Sequence, residues 1–203
     1  MSVLIGSICI SLLHAIIPSH WLPVLAIGKK EKWSVAEVTQ VTFITAFAHA
    51  LSTVIIGVVL GFIGYQLSGN INHIARYAAP LVLVAMGLLF VYRHYKHKHF
   101  HLHGGKIETR TKVSIIISLS IAMFLSPCME IEAYFLLAGT ISKWLLAVIS
   151  IIYFVITITG MLLLVRAAYK GLLKFNSHKL EHNAGIITGI TLIITGIVSF
   201  FIH

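Results

Sequence analysis

Six apolar stretches, each about 20 residues long or more, take up most of this 203-residue chain. They run over residues 4–27, 38–63, 74–92, 113–139, 144–165 and 184–202. A stretch of that length with almost no charge matches the hydrocarbon thickness of a bilayer when helical. Irregular backbone cannot face lipid, because its amides and carbonyls would go unpaired. The expected fold class is therefore an all-α integral membrane protein of six transmembrane helices. Only 10% of the residues are charged and 58% are hydrophobic, whereas a soluble domain is nearer a quarter charged. Such a chain lacks the polar surface that facing water demands. The short loops leave room for one membrane domain, 1–203, made of half one (1–93), a loop (94–112) and half two (113–203).

The first stretch lacks the basic flank of a signal peptide and exceeds its length, so it reads as a retained helix. The net charge is +9, from 15 Lys and Arg against 6 acidic residues. Thirteen of those 15 fall in loops one, three and five. Lys29, Lys30 and Lys32 lie in the first, Arg93 to Lys112 in the third and Arg166 to Lys179 in the fifth. Loops two and four hold only Arg76 and Lys143. That asymmetry follows the positive-inside rule rather than nucleic-acid binding. It places the odd loops in the cytoplasm and both termini outside. Trp21, Trp33, Trp144, Tyr92 and Arg76 read as interfacial anchors.

Three helices, a polar loop and three more helices make two halves of opposite orientation, an inverted repeat. Pro18 and Pro127 sit deep in the first helix of each half. Interrupted apolar segments at matching positions mark the binding site of such folds.

The polar residues inside the apolar segments converge on those prolines. His14 and His20 flank Pro18, six residues and about 120° apart on a regular helix. A kink at Pro18 would let both imidazoles face one point, as metal ligands or as packed, hydrogen-bonded side chains. Pro18 frees the carbonyl of His14, and Pro23 that of Ser19. His49 shares a helix face with Ser52 and Thr53, beside the small residues Ala46, Ala48 and Ala50. Cys128, Glu130 and Glu132 follow Pro127, with Cys128 and Glu132 on one face at i, i+4. Glu130 reads as a ligand or as the cap of a restarting helix. Thr157 and Thr159 hold roughly the place of His49 in the second half. Gly57, Gly61, Gly64, Gly185, Gly189 and Gly196 read as close-packing positions.

Imidazole, thiolate and carboxylate together suit a borderline ion such as nickel, cobalt, zinc or iron(II). They suit calcium and magnesium poorly. His94, His97, His99, His101 and His103 crowd the third loop, as an auxiliary metal loop or as a basic topology anchor.

Residues 13–20 resemble the H-x4-[D/G]-H motif of nickel/cobalt permeases, and the bacterial efflux members most. A histidine in the next helix (His49), a His-rich loop between halves and Pro127–Cys128 are similar too. The resemblance covers the layout of most of the chain but only about 20 residues of motif. It implies a metal exporter of the bacterial cytoplasmic membrane. Ser19 stands where uptake permeases carry Asp, which leaves the metal open. The wider superfamily includes thiol carriers of cytochrome-c biogenesis, which this chain resembles through residues 125–128.

The leading expectation is a secondary transporter that exports a divalent transition metal, with His14, His20, His49, Cys128, Glu130 and Glu132 at the site. Two alternatives stand beside it. One is a thiol-disulfide carrier using Cys9 and Cys128, and the other a metalloenzyme with a three-histidine zinc site. The partners expected are membrane lipid and a metal ion, with a homo-oligomer open and no nucleic acid.

Overall fold

The computed structural model of the chain describes residues 2–67, 111–126 and 128–171, the side chains of Ser2, Met129 and Glu130 excepted, and isolated positions in 81–95 and 186–197. Every regular element among them is helical: α1 (Ser2–Ile16), α2 (Pro18–Lys30), α3 (Val35–Leu67), α4 (Lys112–Phe124), α5 (Met129–Ile141) and α6 (Lys143–Tyr169). Three stretches are long and apolar enough to cross a membrane: Val3–Lys30, Val35–Gln66 and Lys143–Tyr169. Helices α4 and α5 have 13 residues each, about 20 Å, so neither alone crosses a hydrocarbon core of about 30 Å. The expected spans 74–92 and 184–202, Arg76 and His94, His97, His99, His101 and His103 lie outside the described residues, save for isolated helical positions. Among those positions, the carbonyl of Gly189 stands 2.7 Å from where a Cβ on Gly87 would sit.

Two expected spans are each cut in two, and proline chemistry explains both cuts. Ile17 separates α1 from α2 in an extended conformation (φ −61°, ψ 121°). The ring of a following proline excludes the helical region for the residue before it. Pro18 then opens α2, where its missing N–H would have no helical partner anyway. The indole N–H of Trp21 donates to the carbonyl of Ile16 at 3.2 Å. Trp21 is therefore a core residue, 2% exposed, and not the expected interfacial anchor. Trp33 is likewise buried, whereas Trp144 and Tyr92 are exposed. In the second half, α4 ends at Phe124 and α5 restarts after Cys128, which is extended (φ −95°, ψ 116°).

Burial is inverted relative to a water-soluble protein. Phe43, Phe47, Leu51, Ile55, Val59 and Phe62 of α3 are exposed, while Thr42, Thr45, His49, Ser52 and Thr53 are buried. That distribution fits a hydrocarbon solvent. The buried hydroxyls donate back to their own helix: Thr42 to Val38, Thr45 to Val41 and Ser11 to Ser7. Glycines on the inner face of α3 bring α5 and α6 close. Phe135 fills the place of a Cβ on Gly57, the carbonyl of Leu136 abuts Gly64, and Leu146 covers Gly61. These three glycines pack as the sequence suggested.

One end of the bundle brings together the α2–α3 connection, the start of α4 and the end of α6. Tyr169, closing α6, donates to the carbonyls of Gly28 and Trp33 in the α2–α3 connection. Lys112, opening α4, pairs with Glu37 at the start of α3. In that connection Lys32 holds a left-handed conformation (φ 54°). Its N–H reaches the Lys29 carbonyl and that of Trp33 the Gly28 carbonyl, a Schellman closure of α2. Helix α3 opens with a capping box. The Ser34 hydroxyl accepts from Glu37 N–H at 3.2 Å, and the Glu37 carboxylate accepts from Ser34 N–H at 2.7 Å. Ser34→Ala is expected to cost about 1 kcal/mol. Thermal unfolding in detergent should show it as a drop of roughly 2–4 °C; an unchanged midpoint would mean that the cap adds nothing.

Candidate metal centre

The two helix breaks carry the polar residues to mid-depth. His14 lies in the last turn of α1 and His20 in the first turn of α2. His49 sits near the middle of α3 and Cys128 caps α5. All four are buried, at 2%, 8%, 0% and 4% exposure. One ligand atom from each lies within 4.8 Å of the others. The extended residue at Ile17 rotates α2 relative to α1, so His14 and His20 meet with ring centroids 4.4 Å apart. The rings of His20 and His49 are 4.7 Å apart.

Three of the six distances between donor atoms match the edges of a metal polyhedron, and the four atoms as a set lie within 4.8 Å of one another. Nε2 of His49 lies 3.4 Å from Nε2 of His14 and 3.4 Å from Sγ of Cys128. Sγ lies 3.6 Å from Nε2 of His20. A tetrahedral ion with nitrogen at about 2.0–2.1 Å and sulfur at about 2.3 Å would set these edges at about 3.4 and 3.6 Å. Three imidazoles and a thiol are the donors of a borderline ion. Among the described residues no carboxylate belongs to the set.

Neighbouring groups orient these donors. Pro127 has no N–H for the carbonyl of Met123, four residues earlier. Nδ1 of His49 donates to that carbonyl at 3.2 Å. The tautomer so fixed leaves the lone pair on Nε2, facing the cluster. The hydroxyl of Thr53 donates to the His49 carbonyl at 3.1 Å and accepts the Cys128 N–H at 3.3 Å. It thereby ties the start of α5 to α3, one turn beyond His49. From α6, the hydroxyl of Tyr153 reaches Nε2 of His14 at 3.2 Å.

Four of the six expected site residues thus come together. Glu132 is buried one turn beyond Cys128, but its oxygens are not among the clustered atoms. Neither oxygen has a hydrogen-bond partner among the described residues. Glu130 stands in the first turn of α5, and its side chain lies outside the described residues. Thr157 is buried, whereas Thr159 faces outward and cannot contribute. Cys9 is exposed on α1 while Cys128 is buried among imidazoles, and no disulfide joins them.

Tyr153 and the Met123 carbonyl were not anticipated. A tyrosine in mid-span needs a partner for its hydroxyl, and that need is the signal in the sequence that marks Tyr153. Counting four residues back from Pro127, as for Pro18 and Pro23, would have marked Met123.

Scans of this chain against protein-family models, curated proteins and solved structures found no match. Fold and site by themselves define a class. This is a helical protein of transmembrane character with a buried His14, His20, His49 and Cys128 cluster able to hold a metal ion.

Proposed function

We propose that this chain is a secondary transporter of a divalent transition metal ion (nickel, cobalt, zinc or iron), exporting it across the bacterial cytoplasmic membrane. The observation that carries the reading is the four-donor cluster, buried at mid-depth between two broken helices. Its histidines come from the first half and its cysteine from the second. Rocking one half against the other would move Cys128 relative to the imidazoles and so open the site to either side. The broken-then-unbroken helix order in each half supports an inverted repeat of six spans. The meeting of the α2–α3 connection, the start of α4 and the end of α6 at one end, with Lys29, Lys30, Lys32, Lys112 and Lys170, supports odd loops inside and termini outside. The resemblance of residues 13–20 to nickel/cobalt efflux permeases points the same way. The His-rich loop would collect cytosolic metal.

Glu132 is the candidate for proton coupling. A carboxylate charge left without a partner in an apolar interior is costly. The group suits a carrier that is neutral when buried and charged when rearrangement gives it water or an ion. The alternative functions find less support. A thiol carrier needs two sulfurs in bonding reach, and Cys9 faces outward while Cys128 faces the imidazoles. A catalytic zinc site keeps one position open for water, and Cys128 fills that position here.

Proteoliposomes with a metal-sensitive dye test the proposal. Wild type should bind one ion per chain and carry zinc, nickel or cobalt in the direction opposite to proton flow under an imposed proton gradient. Glu132→Gln should still bind the ion, while the gradient no longer accelerates flux. Stoichiometric metal with no flux under any gradient would make the protein a static metal binder and overturn the transport reading.

A further inference from the structure

Tyr153 is wholly buried in α6, and its ring is held in place. It packs edge-on to Phe135 at 6.2 Å and 76°, and Phe135 is itself seated over Gly57 of α3. Its hydroxyl stands 3.2 Å from Nε2 of His14. That nitrogen faces the other donors, 3.4 Å from Nε2 of His49. An imidazole nitrogen has a single lone pair. It can accept the phenol proton or bind an ion, but not both at once. A phenol is a ready hydrogen-bond donor near neutral pH, since its ordinary pKa is about 10.

We infer that Tyr153 competes with the metal ion for His14 and so acts as a release lever. His14 is then the exchangeable ligand, while His20, His49 and Cys128 form the retained set. His14 stands on the first broken helix and Tyr153 on the long helix of the second half. The motion that opens the site would therefore pass His14 Nε2 from the ion to the phenol hydroxyl. The hydrogen bond gained offsets part of the metal bond lost and lowers the barrier to release. Tyr153 is a positioning residue here, acting on the ion through His14. The release role rests on the transport reading; the competition itself does not.

Tyr153→Phe separates the possibilities, because it keeps the ring against Phe135 and removes only the competing hydroxyl. Zinc affinity, measured in detergent by competition with a chelating dye, is expected to tighten about two- to tenfold, the worth of one net hydrogen bond. In proteoliposomes the turnover number and the half-saturating zinc concentration should both fall. A merely structural tyrosine, or one that ligates the ion, would give weaker or unchanged binding on substitution, and either result overturns the inference. In a His14→Ala background the gain should vanish, since the contested nitrogen is gone; a gain that persists would also overturn it. Tighter binding in Tyr153→Phe, with no flux from wild type, would uphold the competition and refute transport alone.

Discussion

His49→Gln is expected to strip the centre of metal while leaving the chain folded. His49 is the hub of the cluster. Its Nε2 is 3.4 Å from donors on α1 and on α5, and its Nδ1 is bonded to the Met123 carbonyl. Glutamine roughly keeps the volume of this wholly buried side chain, so little cavity energy is lost. It offers no imidazole lone pair. Altering a group that only orients a ligand typically costs about 10–100-fold in affinity. Deleting the central ligand should exceed that. Metal analysis of the purified protein checks the result, with one ion per chain expected in wild type and none in the variant.

Cobalt(II) as a probe adds geometry. A tetrahedral site gives intense visible bands, with a sulfur-to-metal charge-transfer band that Cys128→Ser should remove. Binding requires a thiolate and neutral imidazoles, so it releases protons and must weaken as pH falls. Undiminished metal in His49→Gln would show that the ion sits elsewhere and sink the four-donor centre.

Gly139→Leu is expected to damage the fold more than any other substitution considered above. A Cβ on Gly139 would overlap the backbone of Gly61, where α5 crosses α3. A crowding side chain can change rotamer, but a carbonyl locked in a helix cannot. The helices must separate, which loosens Phe135 over Gly57 and Leu136 against Gly64 as well. Overpacking typically costs about 1–3 kcal/mol and occasionally more; a backbone clash belongs at the upper end. The same separation pulls Cys128 from Thr53 and His49, so metal should be lost with stability. Gly171 is the control. It has φ +75° and nothing within 4 Å of an added Cβ. Gly171→Ala should cost only the left-handed conformation, about 1–2 kcal/mol. The measurements are the yield of monodisperse protein and the unfolding midpoint in detergent. A Gly139→Leu protein as stable as wild type would mean that α3 and α5 do not cross so closely.

Local chemistry made much of this protein legible before any coordinates. Lipid as the solvent follows from apolar length and scarce charge, both properties of single segments. The breaks follow from Pro18 and Pro127, because a missing N–H and a bulky ring act within four residues of themselves. His14, His20, His49 and Cys128 stood out because an ionisable side chain in mid-span demands a reason. Segment periodicity did not say that Trp21 turns inward to the Ile16 carbonyl, that Thr159 faces out, or that Glu132 stays apart from the four donors. Nor did it pair Cys128 with His20, 108 residues away, or set Tyr153 against His14. Those relations depend on how closely helices approach, which the Gly61–Gly139 crossing and the extended Ile17 set. A sequence shows which groups need partners, while the choice among partners rests on distances that only the packed helices create.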